Sequence, residues 1–422
     1  MATPSATLAA NERVKERIAA GHDVLHLAFG EAGLPVHPAV ADVLAGAVSR
    51  SGYPPVAGEP AARSACAGYF RRRGLTAGPE QVLLAPGSKA LLYAVLAAVP
   101  GDVVLPRPSW VSYAAQAALA GKSVIDVPIP EHVGGVPEPR ALDDALRAAV
   151  AAGRRPGSLV LTIPDNPTGT VADVATLQAV CEIAARHALL VISDEIYADL
   201  LHPSAAGPAS YPSGPATLLP DRTVVTTGLS KRLALGGWRI GVALLPDSAV
   251  GRSVYSRLVA IASEIWSALP GPMQAVAEYA FSEPVELRDH VAASQRLHGA
   301  VARAMHGVFV EAGAACRPPG GAFYLYPDLE PHRPRLSHSG ISAGQDLAEA
   351  LLDRYDIGVL PGVAFGDHGD RLTFRVATSL LYGGTDEQRR TALESPNPTR
   401  LPWIAAAIDR TCESLSDLLL TS

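Results

Sequence analysis

The sequence predicts an α/β fold in which a mostly parallel central sheet is joined to a smaller α+β domain, and three observations carry that prediction. Short apolar runs alternate with amphipathic helical stretches through the middle of the chain. Polar residues stand just after several of those runs, where open α/β sheets place their ligands. Near residue 286 the alternation gives way to one long helical stretch followed by short, scattered strand-like segments.

In chain order, residues 12–21 are polar with helical spacing, and HDVLHLAFG (22–30) reads as a short strand closing on glycine. Residues 35–49 read as a helix opened by Pro35 and Pro38. QVLLAPG (81–87) is a strand leading into the apolar helix 89–99, and DVVLPRP (102–108) is a strand leading into a helix from about 110. SLVLTIPDNPTG (158–169) precedes a helix over 173–188, and ALLVISDEIY (188–197), RTVVTTGLSK (222–231) and RIGVALLP (239–246) continue the series. Runs this apolar fit strands buried on both faces. Beyond them come a long helix (286–313), the strand-like GGAFYLYPD (320–328), a helix near 343–355, DIGVLPGVAFG (356–366), RLTFRVATSL (371–380) and a last helix near 401–420. The expected division is a large domain over 45–285 and a small one built from 1–44 and 286–422.

Composition narrows the function. The 422 residues are 48% hydrophobic and 18% charged, with 38 glycines, 36 prolines and a net charge of −6. That glycine and proline content is below that of low-complexity chains. A mildly acidic balance without a long Lys/Arg block argues against nucleic acid or anionic membrane as the main partner. The longest apolar run, Ala90 to Val99, is too short to span a bilayer and fits a buried helix. The opening residues lack the apolar core of a secretory signal, so a cytoplasmic protein is expected. Cys66, Cys181, Cys316 and Cys412 are widely scattered, which indicates neither a disulfide framework nor a zinc site, and the histidines show no metal spacing. Lysines are few: Lys15, Lys89, Lys122 and Lys231, all other basic side chains being arginine.

The strand ends carry Gly87-Ser88, Trp110, Asn166, Asp194, Tyr197, Lys231 and Arg239. A helix opening at Gly87-Ser88 offers N–H groups and a hydroxyl suited to phosphate, although alone it reads as an ordinary cap. Trp110 alone reads as core. Asp194 closes the run LLVIS, and a carboxylate there is costly unless paired, for example with a protonated ring nitrogen. Lys231 follows VVTTGLS, and a lysine at a low-dielectric cleft loses its proton readily and can form an imine. Arg239, after Gly236-Gly237-Trp238, can fork onto a phosphate, or alone be a surface arginine. Their joint order is the informative feature.

PDNPTG (164–169), SDEIY (193–197), LSK…GGWRIG (229–241) and FRVA (374–377) resemble the class I/II aminotransferases, pyridoxal-phosphate enzymes of fold type I. GYPPVAGEPAAR (52–63), APGSKALL (85–92) and PRPSWVSY (106–113) extend the resemblance over about residues 10–380. It implies that Lys231 forms the Schiff base with the cofactor and later moves the Cα proton. Asp194 partners the pyridine nitrogen, Asn166 and Tyr197 donate to the ring's phenolic oxygen, and Trp110 stacks on the ring. Gly87, Ser88, the Lys89 backbone and Arg239 form the phosphate cup, with Ser230 beside the lysine. Tyr53 reaches the phosphate of a neighbouring subunit, which implies a homodimer with shared sites. Arg375 grips the substrate α-carboxylate, helped by Gly30 and Asn166. Lys15, Lys122 and Lys89 lack such an entourage, and the Lys89 side chain is expected to point away.

Three positions depart from the family pattern. Gly228 stands where serine or threonine usually helps hold the phosphate, with Thr227 or Ser230 as candidate substitutes. Gly30-Glu31-Ala32-Gly33 replaces the usual GEPD, and the stretch 381–403 is longer than the common connection. That stretch reads as a surface excursion, or alternatively as a lining of the entrance. Phe323 and Tyr324 read as packing residues. The leading functional expectation is transamination between an L-amino acid and a 2-oxo acid. The alternative is a lyase, cyclase or oxidase on the same scaffold, since the cofactor stabilises carbanions generally. A regulator using the fold as a sensor would carry a DNA-binding module ahead of it, and none is expected in the ten or so residues before the resemblance. Spacing alone assigns no second arginine to a dicarboxylate.

Overall fold

In the computed structural model, residues 6–203 and 214–420 are described. The strands, in chain order, are β1 (Leu25–His26), β2 (Val82–Pro86), β3 (Asp102–Arg107), β4 (Val124–Pro128), β5 (Pro156–Thr162), β6 (Leu190–Asp194), β7 (Thr223–Gly228), β8 (Ile240–Leu244), β9 (Tyr324–Leu325), β10 (Ile357–Gly358), β11 (Leu360–Pro361) and β12 (Phe374–Ala377). A seven-stranded sheet runs in the order β2-β8-β7-β6-β5-β3-β4. The pairs β7–β6, β6–β5, β5–β3 and β3–β4 are parallel, whereas β8 is antiparallel to both β2 and β7. The expected mostly parallel sheet is therefore present.

Helices cover both faces, which is why its inner strands are buried along almost their whole length. Leu83, Val103, Val160, Ile192 and Val224 pack against the helix Ser88–Ala98 on one side. Leu159, Leu161 and Val191 pack against Pro139–Ala151 and Val174–Arg186 on the other. The edge strand β4 alternates buried and exposed residues, as one wet face requires. It was not assigned from the sequence, nor were the helices Pro60–Arg72, Pro139–Ala151, Ala249–Ile265 and Gly271–Ser282.

Two small sheets lie outside the large one: β1 pairs parallel with β10, and β11-β12-β9 forms an antiparallel trio. Their core joins Leu27, Val301, Met305 and Phe309 with Leu347, Phe374, Val376 and the C-terminal helix Pro402–Leu420. The long helix spans Val285–Glu311 and the N-terminal helix Ala6–Ala19, slightly offset from the expected 12–21.

The stretch 381–403 is more ordered than the sequence reading specified. It holds the helix Asp386–Glu394, whose Ala392 is fully buried in the same core as Tyr382 and Ile404. The Trp403 indole donates to the Tyr382 carbonyl at 2.9 Å, closing the excursion onto the core. It is a helical surface excursion anchored to the core through Ala392, and none of its residues lines the cavity described next, which leaves the entrance-lining alternative without support.

Candidate active site

The carboxyl ends of β5, β6 and β7 open onto a cavity of about 430 Å³. It is closed from the other side by the segment after β1 and by β9 and β12. Among its lining residues are Gly30, Ser88, Lys89, Trp110, Asn166, Asp194, Tyr197, Ser230, Lys231, Arg239 and Arg375. Gly87 sits immediately behind it as the N-cap of Ser88–Ala98, with φ of 90° and no side-chain cap. That φ strains any residue but glycine, and a Cβ there would also displace the Arg239 guanidinium, so glycine lets the helix N-terminus and that arginine converge. The first N–H groups of this helix are thus left for a ligand, unlike those of Val174–Arg186, where Asp173 caps Thr176 N at 2.8 Å. Tyr53 is not brought in; it is 97% exposed on this chain.

Asp194 ends β6 and is buried. It accepts hydrogen bonds from the Tyr113 hydroxyl at 2.9 Å and from Ile196 N at 3.3 Å, and Tyr113 also meets Thr162 Oγ1 at 2.8 Å. Burial pushes the Asp194 carboxyl up to about 6, against the pull of those hydrogen bonds and of the Lys231 charge. Lys231 lies on the single helical turn Leu229–Arg232, just beyond β7 rather than within it. Its Nζ donates to the Gly30 carbonyl. Burial first, then the charge of Arg375, draws the amine down to about 8, with Arg239 and Lys89 adding to the effect and Glu31 opposing it.

Arg375, on β12, is 1% exposed. It donates to Asn166 Oδ1 at 2.9 Å and to the Ala28 carbonyl at 2.7 Å, while its Nε has no hydrogen-bond partner among the described residues. A buried cation with an orphaned donor is incomplete without an anion. Because Asn166 spends its oxygen on Arg375, its amide N–H groups remain available as donors. Trp110 lines the cavity and meets Tyr113 edge to face at 5.3 Å, and Lys89 Nζ lies over its ring, 5.0 Å from the centroid.

The Lys89 side chain therefore lines the site instead of pointing away, which corrects the sequence expectation. Side chains in the first turn of a helix lean toward its N-terminus, and here that direction is the cavity. Burial, then Arg239, lowers the basicity of this amine.

The structure also accounts for two departures. A Cβ at Gly228 would run into the Ile240 carbonyl of the paired strand and lie 3.3 Å from Gly241 Cα, so no serine fits. Thr227 turns its hydroxyl to the Glu195 carbonyl at 3.2 Å, leaving Ser230 as the hydroxyl that faces the cavity. Gly33 has φ of 66° and abuts the Ser379 carbonyl, which explains glycine in place of the usual aspartate.

Sequence reasoning missed Tyr113 and Tyr324, both on the cavity wall. Tyr113 follows Trp110 by three residues at a helix start, a spacing that could have flagged it. Tyr324, read as packing, places its hydroxyl 2.7 Å from that of Tyr197. Phe323 is fully buried among Ile196, Tyr197 and Leu200, as read. Among the described residues no group of three or more metal-binding side chains occurs, and no helix is long and apolar enough to cross a membrane.

The aminotransferase class I and II family matches residues 22–395. The chain is 32% identical to the aspartate aminotransferase of Geobacillus stearothermophilus, over 90% of this chain and 93% of that protein. It is 31% identical to the aspartate/prephenate aminotransferase of Thermus thermophilus, over 93% and 94%. The structure of Thermus thermophilus aspartate aminotransferase with maleate superposes with a TM-score of 0.81 at 27% identity, covering 98% of this chain and 97% of that one. The cleft of Lys231, Asp194 and Arg375 thus lies in a chain that belongs to the class I and II aminotransferases, a family of pyridoxal-phosphate enzymes, and is itself an aspartate-aminotransferase-like aminotransferase.

Proposed function

We propose that this aminotransferase moves an amino group between an L-amino acid and a 2-oxo acid with pyridoxal phosphate held at Lys231. One observation carries the reading: an amine of lowered basicity, a buried carboxyl and a buried guanidinium with an orphaned donor face a single cavity. The residues present fit the cofactor. The uncapped helix start at Gly87-Ser88, Ser230 and Arg239 suit its phosphate, and among the described residues Arg239 has only the Gly236 carbonyl, at 2.8 Å, as a hydrogen-bond acceptor. Asp194, buried and without a directly bonded cation among the described residues, suits a protonated ring nitrogen. Asn166 and Tyr197 supply donors for a ring oxygen, and Trp110 a flat face.

When bound, the cofactor supplies an aldehyde carbon and a conjugated ring that accepts the electron pair left at Cα. The chain does the rest. Arg375 closes two parallel hydrogen bonds on the α-carboxylate and so fixes the Cα–H direction. Lys231 Nζ, lowered to about 8, holds its proton less firmly than an ordinary lysine, so a larger neutral fraction can accept the Cα proton and return it. In this reading Tyr53, exposed on this chain, serves a second subunit's phosphate in a homodimer.

The charge balance favours donors with an acidic side chain. Among the described lining residues, Lys89, Lys231, Arg239 and Arg375 face only Glu31 and Asp194 as acidic groups. Once phosphate and α-carboxylate are matched, Lys89 is the cation left for a second carboxylate. The test is a half-reaction: purified protein with an amino acid and no oxo acid should convert bound cofactor to its amine form, fastest with aspartate or glutamate. Borohydride should attach the cofactor to Lys231. Ammonia release or oxygen uptake in place of that conversion would instead support a lyase or an oxidase.

A further inference from the structure

Two of the site's recognition groups, Tyr197 and Arg375, meet on one side chain that the transamination machinery above does not use. β9 pairs antiparallel with β12, with Tyr324 opposite Ala377. Ala377 shares a sheet face with Arg375 two residues earlier, so Tyr324 and Arg375 are diagonal neighbours on that face. The guanidinium accordingly lies 4.7 Å from the centroid of the Tyr324 ring. At the other end of the ring the Tyr324 hydroxyl meets the Tyr197 hydroxyl at 2.7 Å. The side chain is 1% exposed. Gly30 leaves room for it, because a Cβ at that position would overlap Tyr324 Oη, and the Gly30 carbonyl is the acceptor for Lys231.

Proton counting gives the pair its meaning. Burial, ahead of any neighbouring charge, raises both phenols above their ordinary range, so both stay neutral at working pH. Two neutral hydroxyls hold two protons, and only one can lie between the oxygens. The other is free for a cavity ligand. If Tyr324 donates to Tyr197, the Tyr197 proton is the free one and its donor strength is increased by the bond it accepts.

We propose that Tyr324 is a positioning residue for the transamination reaction: its hydroxyl directs the Tyr197 proton toward the cofactor ring oxygen, and its ring supports the Arg375 guanidinium at the substrate carboxylate. The proposal rests on the reading of the site given above. Tyr197 donation favours the anionic form of the ring oxygen, so weakening it makes the bound chromophore harder to deprotonate.

The two halves separate experimentally in the cofactor-loaded enzyme. Tyr324→Phe keeps the ring and removes the hydroxyl. It should raise the pH midpoint of the cofactor's colour change by roughly half a unit and lower kcat several-fold. Maleate affinity, measured by calorimetry, should stay within about twofold. Tyr324→Leu removes the ring as well and should also weaken maleate binding by about tenfold; Tyr324→Met replaces it if that variant fails to fold. An unmoved midpoint in Tyr324→Phe, or equal loss of maleate affinity in both variants, would overturn the proposal. Wild-type protein that neither takes up colour with pyridoxal phosphate nor transaminates would instead refute the underlying reading, before any variant is compared.

Discussion

Replacing Lys231 by methionine should stabilise the cofactor-free protein at neutral pH while abolishing transamination. The amine falls from 10.5 in the unfolded chain to about 8 in the fold, chiefly through burial. Below pH 8 the protonated amine therefore costs the native state about 3 kcal/mol. Methionine carries no such charge but gives up the hydrogen bond to the Gly30 carbonyl, worth about 1 kcal/mol. Water entering the open cavity reduces the charge penalty further, leaving a net gain of about 1–2 kcal/mol. At about 2.1 cal/mol/K of unfolding entropy per residue, 422 residues convert this into about 1–2 °C. The sign is specific. A lowered lysine pKa means the unfolded chain binds more protons between pH 8 and 10.5, so wild-type stability rises with pH in that window. The assay is scanning calorimetry of both cofactor-free proteins at equal concentration, at pH 7 and pH 10. The advantage of Lys231→Met should fade toward pH 10 and pass to the wild type beyond it. A wild type that is the more stable at pH 7, or a difference that ignores pH, would refute the reasoning.

Three further outcomes are expected. Arg375→Ala removes the buried partner of the α-carboxylate and should lower kcat/KM for amino acids by about 30-fold to several thousand-fold, with little effect on a primary amine that has no carboxylate; equal losses for both would place the arginine elsewhere. Gly228→Ser forces a side chain against the Ile240 carbonyl, so thermal unfolding should reveal a destabilisation of about 1–3 kcal/mol with no gain in cofactor affinity. Deleting residues 385–398 removes the helix that buries Ala392 and should depress folding yield and melting temperature, not alter substrate preference; a deletion melting within a degree of wild type would contradict the packing.

What could be read from the sequence was whatever depends on local pattern. The run LLVIS places Asp194 at a strand end because four apolar residues and a serine cannot continue into a charged pair without leaving the sheet. Lys231 and Arg239 stand where β7 and β8 meet the cavity for the same reason. Strand direction was not legible: the apolar run of β8 suits either orientation, and only the short passage from Gly228 to Ile240 hints that no helical crossover intervenes. Lys89 escaped because orientation within the first helical turn depends on where that helix points. Tyr324 escaped because β9 is two residues long, too short for alternation to be visible. The helix Asp386–Glu394 touches the core through so little apolar surface that its composition reads as exposed.

Arg375 is held by the Ala28 carbonyl from 347 positions away, and β1 waits for β10 to complete its only pairing. At roughly 5–20 residues per second, translation separates the two halves of this grip by roughly 20–70 s. Over the last stretch of that interval, once β8 has been made, the seven-stranded sheet has every strand it needs while the leading segment still has nowhere to dock. A nascent chain could thus own its vitamin pocket well before it can tell an amino acid from a plain amine. Premature termination shortly ahead of β12 would release such an indiscriminate fragment.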